Sequence, residues 1–135
     1  FIIPKLKSGV NVISERFDLS TKAYQIHGRQ RPDLKPLLES VNRNIITKKP
    51  DLTIFLDADV SASMERMRKQ GRELDRIELE NIDFHKRVYA GYIRELKKIK
   101  HIKVNTGGLR GESVEQTIDR VCNEVLKIVK KFFKL

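Results

Sequence analysis

The chain has 135 residues, with 28 Lys and Arg against 18 Asp and Glu, a formal net charge of +10. That length suits one domain with one core, and 39% hydrophobic with 34% charged residues is a globular composition. The longest strongly apolar run, Leu52–Leu56, is too short to span a bilayer, no signal-peptide pattern opens the chain, and the single cysteine excludes an intrachain disulfide.

Residues 1–8 read as the end of a helix that Gly9 terminates. Val10 to Ser14 reads as a buried strand. Residues 18–31 lack a long period and contain Gly28, which predicts a loop or a short helix. Asp33 is placed to cap a helix running to Lys48, with Pro36 in its first turn and Leu34, Leu37, Val41 and Ile45 as its buried stripe. Leu52 to Leu56 reads as the second strand. It is apolar except for Thr53, which predicts cover on both faces, as in a parallel sheet.

Asp59 is placed to cap a helix over 60–70, with Val60, Met64 and Met67 inward, before Gly71 and a charged loop at 72–79. A helix over 81–99 carries Phe84, Val88, Tyr92, Leu96 and Ile99 on one side. His101 to Asn105 is the third expected strand, followed by a turn at Thr106-Gly-Gly108. Ser113 and Gln116 have capping-box spacing. The last helix should bury Val114, Ile118, Val121, Val125, Val129 and Phe132, and Cys122 reads as a small core residue beside them. Lysines 97, 98, 130, 131 and 134 read as solvated outer faces. Strands alternating with helices predict a layered α/β fold.

Two stretches carry chemistry. In Val12-Ile-Ser-Glu-Arg-Phe-Asp-Leu-Ser-Thr-Lys-Ala-Tyr-Gln25, an apolar run ends in an acid and an arginine. The hydroxyls of Ser20 and Thr21 and the pair Tyr24 and Gln25 follow closely. An arginine at a strand's C-terminal end suits a phosphate, because its planar fork donates two parallel hydrogen bonds. The second stretch starts at Pro50-Asp-Leu-Thr-Ile-Phe-Leu-Asp57. It continues through a basic helix into Gly71-Arg-Glu-Leu-Asp-Arg-Ile-Glu78 and Asp83-Phe-His-Lys-Arg-Val88. No G-x-x-x-x-G-K-[ST] occurs in the chain. His27, His85 and His101 lack metal-ligand spacing, and Ser20 has no histidine-acid relay.

Together the two stretches resemble thymidylate kinases of the bacterial type, over most of residues 1–99 and most densely at 12–25 and 50–92. The resemblance implies a P-loop-kinase-like, three-layer α/β fold, a parallel sheet with flanking helices. The chain would supply only its last three strands and lack the central P-loop strand. Unpartnered strand edges and apolar helix faces are then expected, or a rearranged sheet in which Val10–Ser14 pairs directly with Leu52–Leu56. The chain, which begins at Phe1, is expected to be a C-terminal portion or one half of a split gene. Residues 1–135 would form one domain with a lid at about 66–79.

By the same resemblance, Arg16 would hold the phosphate of thymidine monophosphate. Glu15 stands where the family usually has aspartate and would help place magnesium. Ser20, Thr21, Tyr24 and Gln25 would line the nucleoside side, with Tyr24 crowding the sugar. Arg66, Arg68, Arg72 and Arg76 would be lid arginines reaching the transferring phosphates. Asp75 and Glu78 would fix the lid or touch the metal.

The implied reaction is transfer of the γ-phosphate of ATP, with Mg2+, to dTMP, giving dTDP, in a cytoplasmic homodimer. The chain by itself is expected to bind ATP weakly and to turn over little or nothing without the missing N-terminal half. The alternative is a non-catalytic basic fragment that binds nucleotide or nucleic acid. Six phenylalanines, three tyrosines and no tryptophan give little aromatic interleaving for stacking bases, so nucleic acid is not the expected partner, and neither is a membrane.

Overall fold

A computed structural model describes residues 1–69, 71 and 73–134. The elements are α1 (Ile2–Lys7), α2 (Asp18–Thr21), a π-helix (Lys22–Gly28), a 3-10 turn (Pro32–Leu34), α3 (Lys35–Asn44), β1 (Thr53–Asp57), α4 (Val60–Lys69), α5 (Ile82–Leu96), β2 (His101–Asn105) and α6 (Val114–Phe133). They fall into two compact units, residues 1–51 with 83–98, and residues 52–82 with 99–135. The fold is mixed α/β with a parallel sheet and flanking helices, as expected. No helix among the described residues is long and apolar enough to cross a membrane.

The first unit is helical. Gly9, at φ +77°, ends α1 as its sequence position predicts. Val10–Ser14 is not a strand; it is irregular, and Ile13 is 91% exposed. A strand needs a neighbour for its N–H and C=O groups, and the sheet of the described residues holds only β1 and β2. The rearranged pairing with Leu52–Leu56 therefore does not form, and among the described residues two strands are present where three were expected.

Asp33 does not cap α3. Its carboxylate accepts from Arg31 Nε and Nη2 at 2.7–3.1 Å, inside the 3-10 turn. Pro36 does sit in the first turn of α3. That helix stops at Asn44, and Leu37 and Ile45 of its expected buried stripe are exposed. The core of this unit forms instead where α5 meets the π-helix: Ala23, Phe84, Val88 and Leu96 are buried. Ile99, the last residue of the expected α5 stripe, lies beyond the helix and is exposed.

In the second unit, β1 and β2 pair in parallel with Thr53 opposite His101 and Asp57 opposite Asn105. Thr106 extends the ladder, its N–H donating to Asp57 O at 2.8 Å. Leu56 is exposed, so β1 is not covered on both faces as its apolar run predicted. Asp59 caps α4, accepting from Ala62 N at 2.8 Å. Both arms of the Ser113–Gln116 capping box are present at the start of α6. Lys100 Nζ lies 5.0 Å from the Phe132 ring centroid, near the other end of that helix.

The apolar stripe of α6 is amphipathic in pattern, but none of its residues is buried; Val114 is 71% and Ile118 55% exposed. Cys122 is also exposed rather than in a core. Periodicity reports which side of a helix is apolar, not whether anything covers it.

Glu112 and Arg120 tie the turn after β2 to α6. Arg120 donates to Glu112 Oε1 (3.0 Å), Asn105 O (3.1 Å) and Gly107 O (2.6 Å). Glu112 also accepts from Leu109 N and Thr117 Oγ1, each at 2.9 Å. The Arg120 guanidinium, aided by the Leu109 N–H, pulls the Glu112 carboxyl from its ordinary 4.5 down to about 2. A lowered folded-state pKa stabilises fully above pH 4.5 and loses that contribution as pH falls toward 2. Urea midpoints measured across that window should therefore fall for the wild-type chain and fall less steeply for Glu112→Gln. Parallel curves for the two proteins would remove this role.

Candidate active site

The Glu15–Gln25 stretch folds as an exposed turn running into α2 and then directly into the π-helix. Ser14 Oγ donates to Arg16 O at 2.6 Å and shapes that turn. Arg16 is exposed, yet its guanidinium is held. Its Nη1 donates to Ser20 Oγ at 3.1 Å, and its Cζ lies 5.4 Å from the Tyr24 ring centroid. Hydrogen bonding with Tyr24 raises the Arg16 pKa above its usual value, more than burial lowers it. The group is a fixed cation at any working pH.

Tyr92, on α5, completes the arrangement. Its hydroxyl donates to Ser20 Oγ at 2.9 Å, and its ring meets Tyr24 edge-on at 6.3 Å. Burial pushes the Tyr92 phenol up, outweighing the opposing effect of the Ser20 bond, so it stays a proton donor. Phe84 backs Tyr24 from the same helix, at 6.1 Å. Thus Arg16, Ser20 and Tyr24 come together as one cluster. Thr21 and Gln25 lie on the same short segment, Thr21 exposed and Gln25 half-buried, and Glu15 is exposed beside Arg16.

Sequence reasoning placed Tyr92 in the apolar stripe of α5 and missed its part in this cluster. A signal was present: a tyrosine on a core-facing stripe needs a partner for its hydroxyl.

The π-helix gives the segment its shape. Its wider turns are rare and recur at functional sites. Here it packs against α5 through two glycines. A β-carbon at Gly28 would lie 2.5 Å from Val88 Cγ2, and one at Gly91 would lie 2.6 Å from Cβ and 2.8 Å from Cγ of His27. His27 Nε2 lies 3.3 Å from Glu95 Oε1, and Lys98 Nζ donates to that oxygen at 2.8 Å. Burial pushes the Glu95 carboxyl up, but these two partners outweigh it and hold the carboxyl below its ordinary value.

In the second unit, Arg66 and Arg68 are exposed in the last turn of α4. Gly71 has φ +63°, a left-handed conformation that suits glycine. Arg72 lies outside the described residues. Asp75 and Glu78 form a reciprocal turn: Asp75 Oδ1 accepts from Ile77 N (2.7 Å) and Glu78 N (2.8 Å), while Glu78 Oε2 accepts from Asp75 N (3.0 Å). Arg76 is exposed within that turn. Among the described residues no group of three or more His, Cys, Asp or Glu side chains is placed to hold a metal ion.

Comparison with known proteins agrees with the two motifs. A family profile described as "Thymidylate kinase" matches residues 1–118. A thymidylate kinase of Shewanella sp. (strain MR-4) is 37% identical over 130 residues, 96% of this chain and 57% of the relative. One from Legionella pneumophila (strain Corby) is 36% identical over 126 residues, 93% of this chain and 58% of the relative. One from Kosmotoga olearia is 37% identical over 132 residues, 96% of this chain and 61% of the relative. The chain therefore spans less than two thirds of the length of these relatives. With the profile covering most of its residues, the chain belongs to the thymidylate kinase family.

Proposed function

We propose that the chain supplies the acceptor-binding part of a phosphoryl transfer from ATP to dTMP, giving dTDP. The observation that carries this reading is the exposed Arg16 guanidinium, fixed by Ser20 and Tyr24 within the stretch most similar to the family. Phosphoryl transfer asks for in-line positioning and charge neutralisation rather than covalent help from the protein. Arg16 is preorganised for that task, because its position is set before any anion arrives.

In this reading Arg16 holds the acceptor phosphate, and Ser20, Thr21, Tyr24 and Gln25 line the nucleoside. The segment 66–79 acts as the lid, with Arg66, Arg68, Arg72 and Arg76 offered to the transferring phosphates. The Asp75–Glu78 turn shapes the segment that carries Arg76. Magnesium, when bound, would supply charge neutralisation at the phosphates. Glu15 is the carboxylate assigned to it. One carboxylate plus substrate phosphates is an ordinary magnesium arrangement, which fits a chain with no preformed ligand cluster among its described residues. The sequence lacks a G-x-x-x-x-G-K-[ST] loop, so a second polypeptide segment must cradle the donor phosphates. The partners in this reading are dTMP, ATP and that segment or a second copy, in the cytoplasm.

The test is a titration of the isotope-labelled chain with dTMP, followed by an ATP-dependent turnover assay. Shifts should concentrate at Ser20, Tyr24 and Tyr92 and vanish in Arg16→Ala. Turnover should be near background for the chain alone and rise on co-expression with the N-terminal part of a full-length relative. No response to dTMP, together with tight, steeply salt-dependent oligonucleotide binding, would favour the non-catalytic binding reading instead.

A further inference from the structure

Away from Arg16, the first unit has a groove of about 440 Å³ between the π-helix, the start of α3 and one face of α5. Its volume lies in the range of small-ligand pockets. One wall carries Arg87 and Arg94, whose spacing of seven puts both on the same side of α5, with Lys98 just past the end of that helix. Lys22 and Lys35 stand on the other walls. Five cations thus face two carboxylates, Glu39 and Glu95.

The two acids do not cancel the cations. Glu95 is 8% exposed, already paired with Lys98 at 2.8 Å and in contact with His27 Nε2 at 3.3 Å. Glu39 only brushes Lys35, at 3.8 Å between exposed side chains. Lys22 is paired with Asp18 at 3.3 Å. Arg87 Nε donates to Gly28 O at 3.1 Å, which fixes its guanidinium plane. Arg94 is exposed and has no carboxylate partner among the described residues. The groove therefore keeps a surplus of positive charge over a neutral floor.

We propose that this groove is a second anion site, and that it takes an oligophosphate: a small molecule with several linked phosphoryl groups. Two of its charges, Arg87 and Arg94, are about 10 Å apart along two turns of α5 at 1.5 Å per residue, and Lys98 follows past the helix end. A single phosphate meets one or two of them, whereas a chain of phosphoryl groups meets several. The site shares no side chain with the Arg16 cluster.

Inorganic tripolyphosphate is the probe, titrated into the 135-residue chain by calorimetry at several salt concentrations. Saturable one-to-one binding is expected. Lys35→Gln combined with Arg94→Gln should weaken it about tenfold, the loss expected from two exposed charge contacts. Both side chains are exposed and outside the core, so the fold should survive their loss. Arg16→Ala should leave the affinity within about twofold, since the groove and the Arg16 cluster share no side chain. The proposal is overturned if tripolyphosphate shows no saturable binding, or if the double variant binds as well as wild type. It is equally overturned if Arg16→Ala alone abolishes binding, which would place the anion at the thymidylate site. Because the arms differ at Arg16, failure here leaves the thymidylate reading standing, and the reverse.

Discussion

Gly91→Ala is expected to destabilise the chain by about 1–3 kcal/mol, the usual cost of overpacking a close contact. Two effects compete at this position. Alanine in a helix interior gains about 1 kcal/mol over glycine through propensity alone. Against that, the new methyl would lie 2.6 Å from Cβ and 2.8 Å from Cγ of His27. Those atoms sit next to the backbone and cannot swing aside as the end of a flexible side chain can. Relief requires α5 and the π-helix to move apart, and that loosens Phe84 and Val88 in the core. It also stretches the 3.3 Å approach of His27 to Glu95.

Steric overlap should therefore win, and the urea midpoint should drop. His27→Ala in the same chain removes Cγ and the ring from the clash. The double variant should then be less destabilised than the sum of the two singles, the signature of residues in contact. A stabilised Gly91→Ala, or strict additivity with His27→Ala, would show that the close approach does not hold the segment.

Much of this architecture was legible in the residues. Gly9, the Asp59 cap, the Ser113–Gln116 box and the strand at His101–Asn105 are local signals, and each appears where the sequence puts it. These features need only neighbours a few residues away. The failures share a different cause. Val10–Ser14 has the composition of a buried strand, and α6 has the stripe of a packed helix, but both need a surface supplied from elsewhere. No such surface covers Ile13, Val114 or Ile118 here.

At the site, Arg16, Ser20 and Tyr24 were readable because they fall in the stretch most similar to the family; the strand expected to deliver Arg16 is instead a turn before α2. Tyr92 was not readable, because it arrives from 72 residues beyond Ser20. The π-helix was not either. Gly28 on the π-helix and Gly91 on α5 let the two helices approach closely, which no propensity scale records.

Arg16→Ala should reduce dTMP affinity by about 10- to 100-fold, because a hydrogen-bonded charge contributes about 1.5–3 kcal/mol. Arg16→Lys should recover part of this loss and not all of it. Lysine keeps the charge but lacks the planar fork that can meet two phosphate oxygens at once, and it cannot stack on Tyr24 in the same way. Tyr92→Phe tests how the arginine is held. It deletes one donor to Ser20 and leaves the edge-on ring contact with Tyr24 in place. The expected cost is a few-fold in affinity, from a neutral hydrogen bond of about 0.5–1.5 kcal/mol.

Acidity gives an independent check. Arg16 is pushed further from titration by its partners, so its charge does not change near neutral pH. Affinity should instead follow the second ionisation of the ligand's phosphate, near pH 6, and rise as the dianion forms. The same pH profile should survive in Tyr92→Phe, displaced to weaker binding throughout. A profile that Tyr92→Phe reshapes rather than displaces would mean that the phenol, and not the guanidinium, carries the contact with phosphate. Equal affinities for wild type and Arg16→Ala would remove Arg16 from the site altogether.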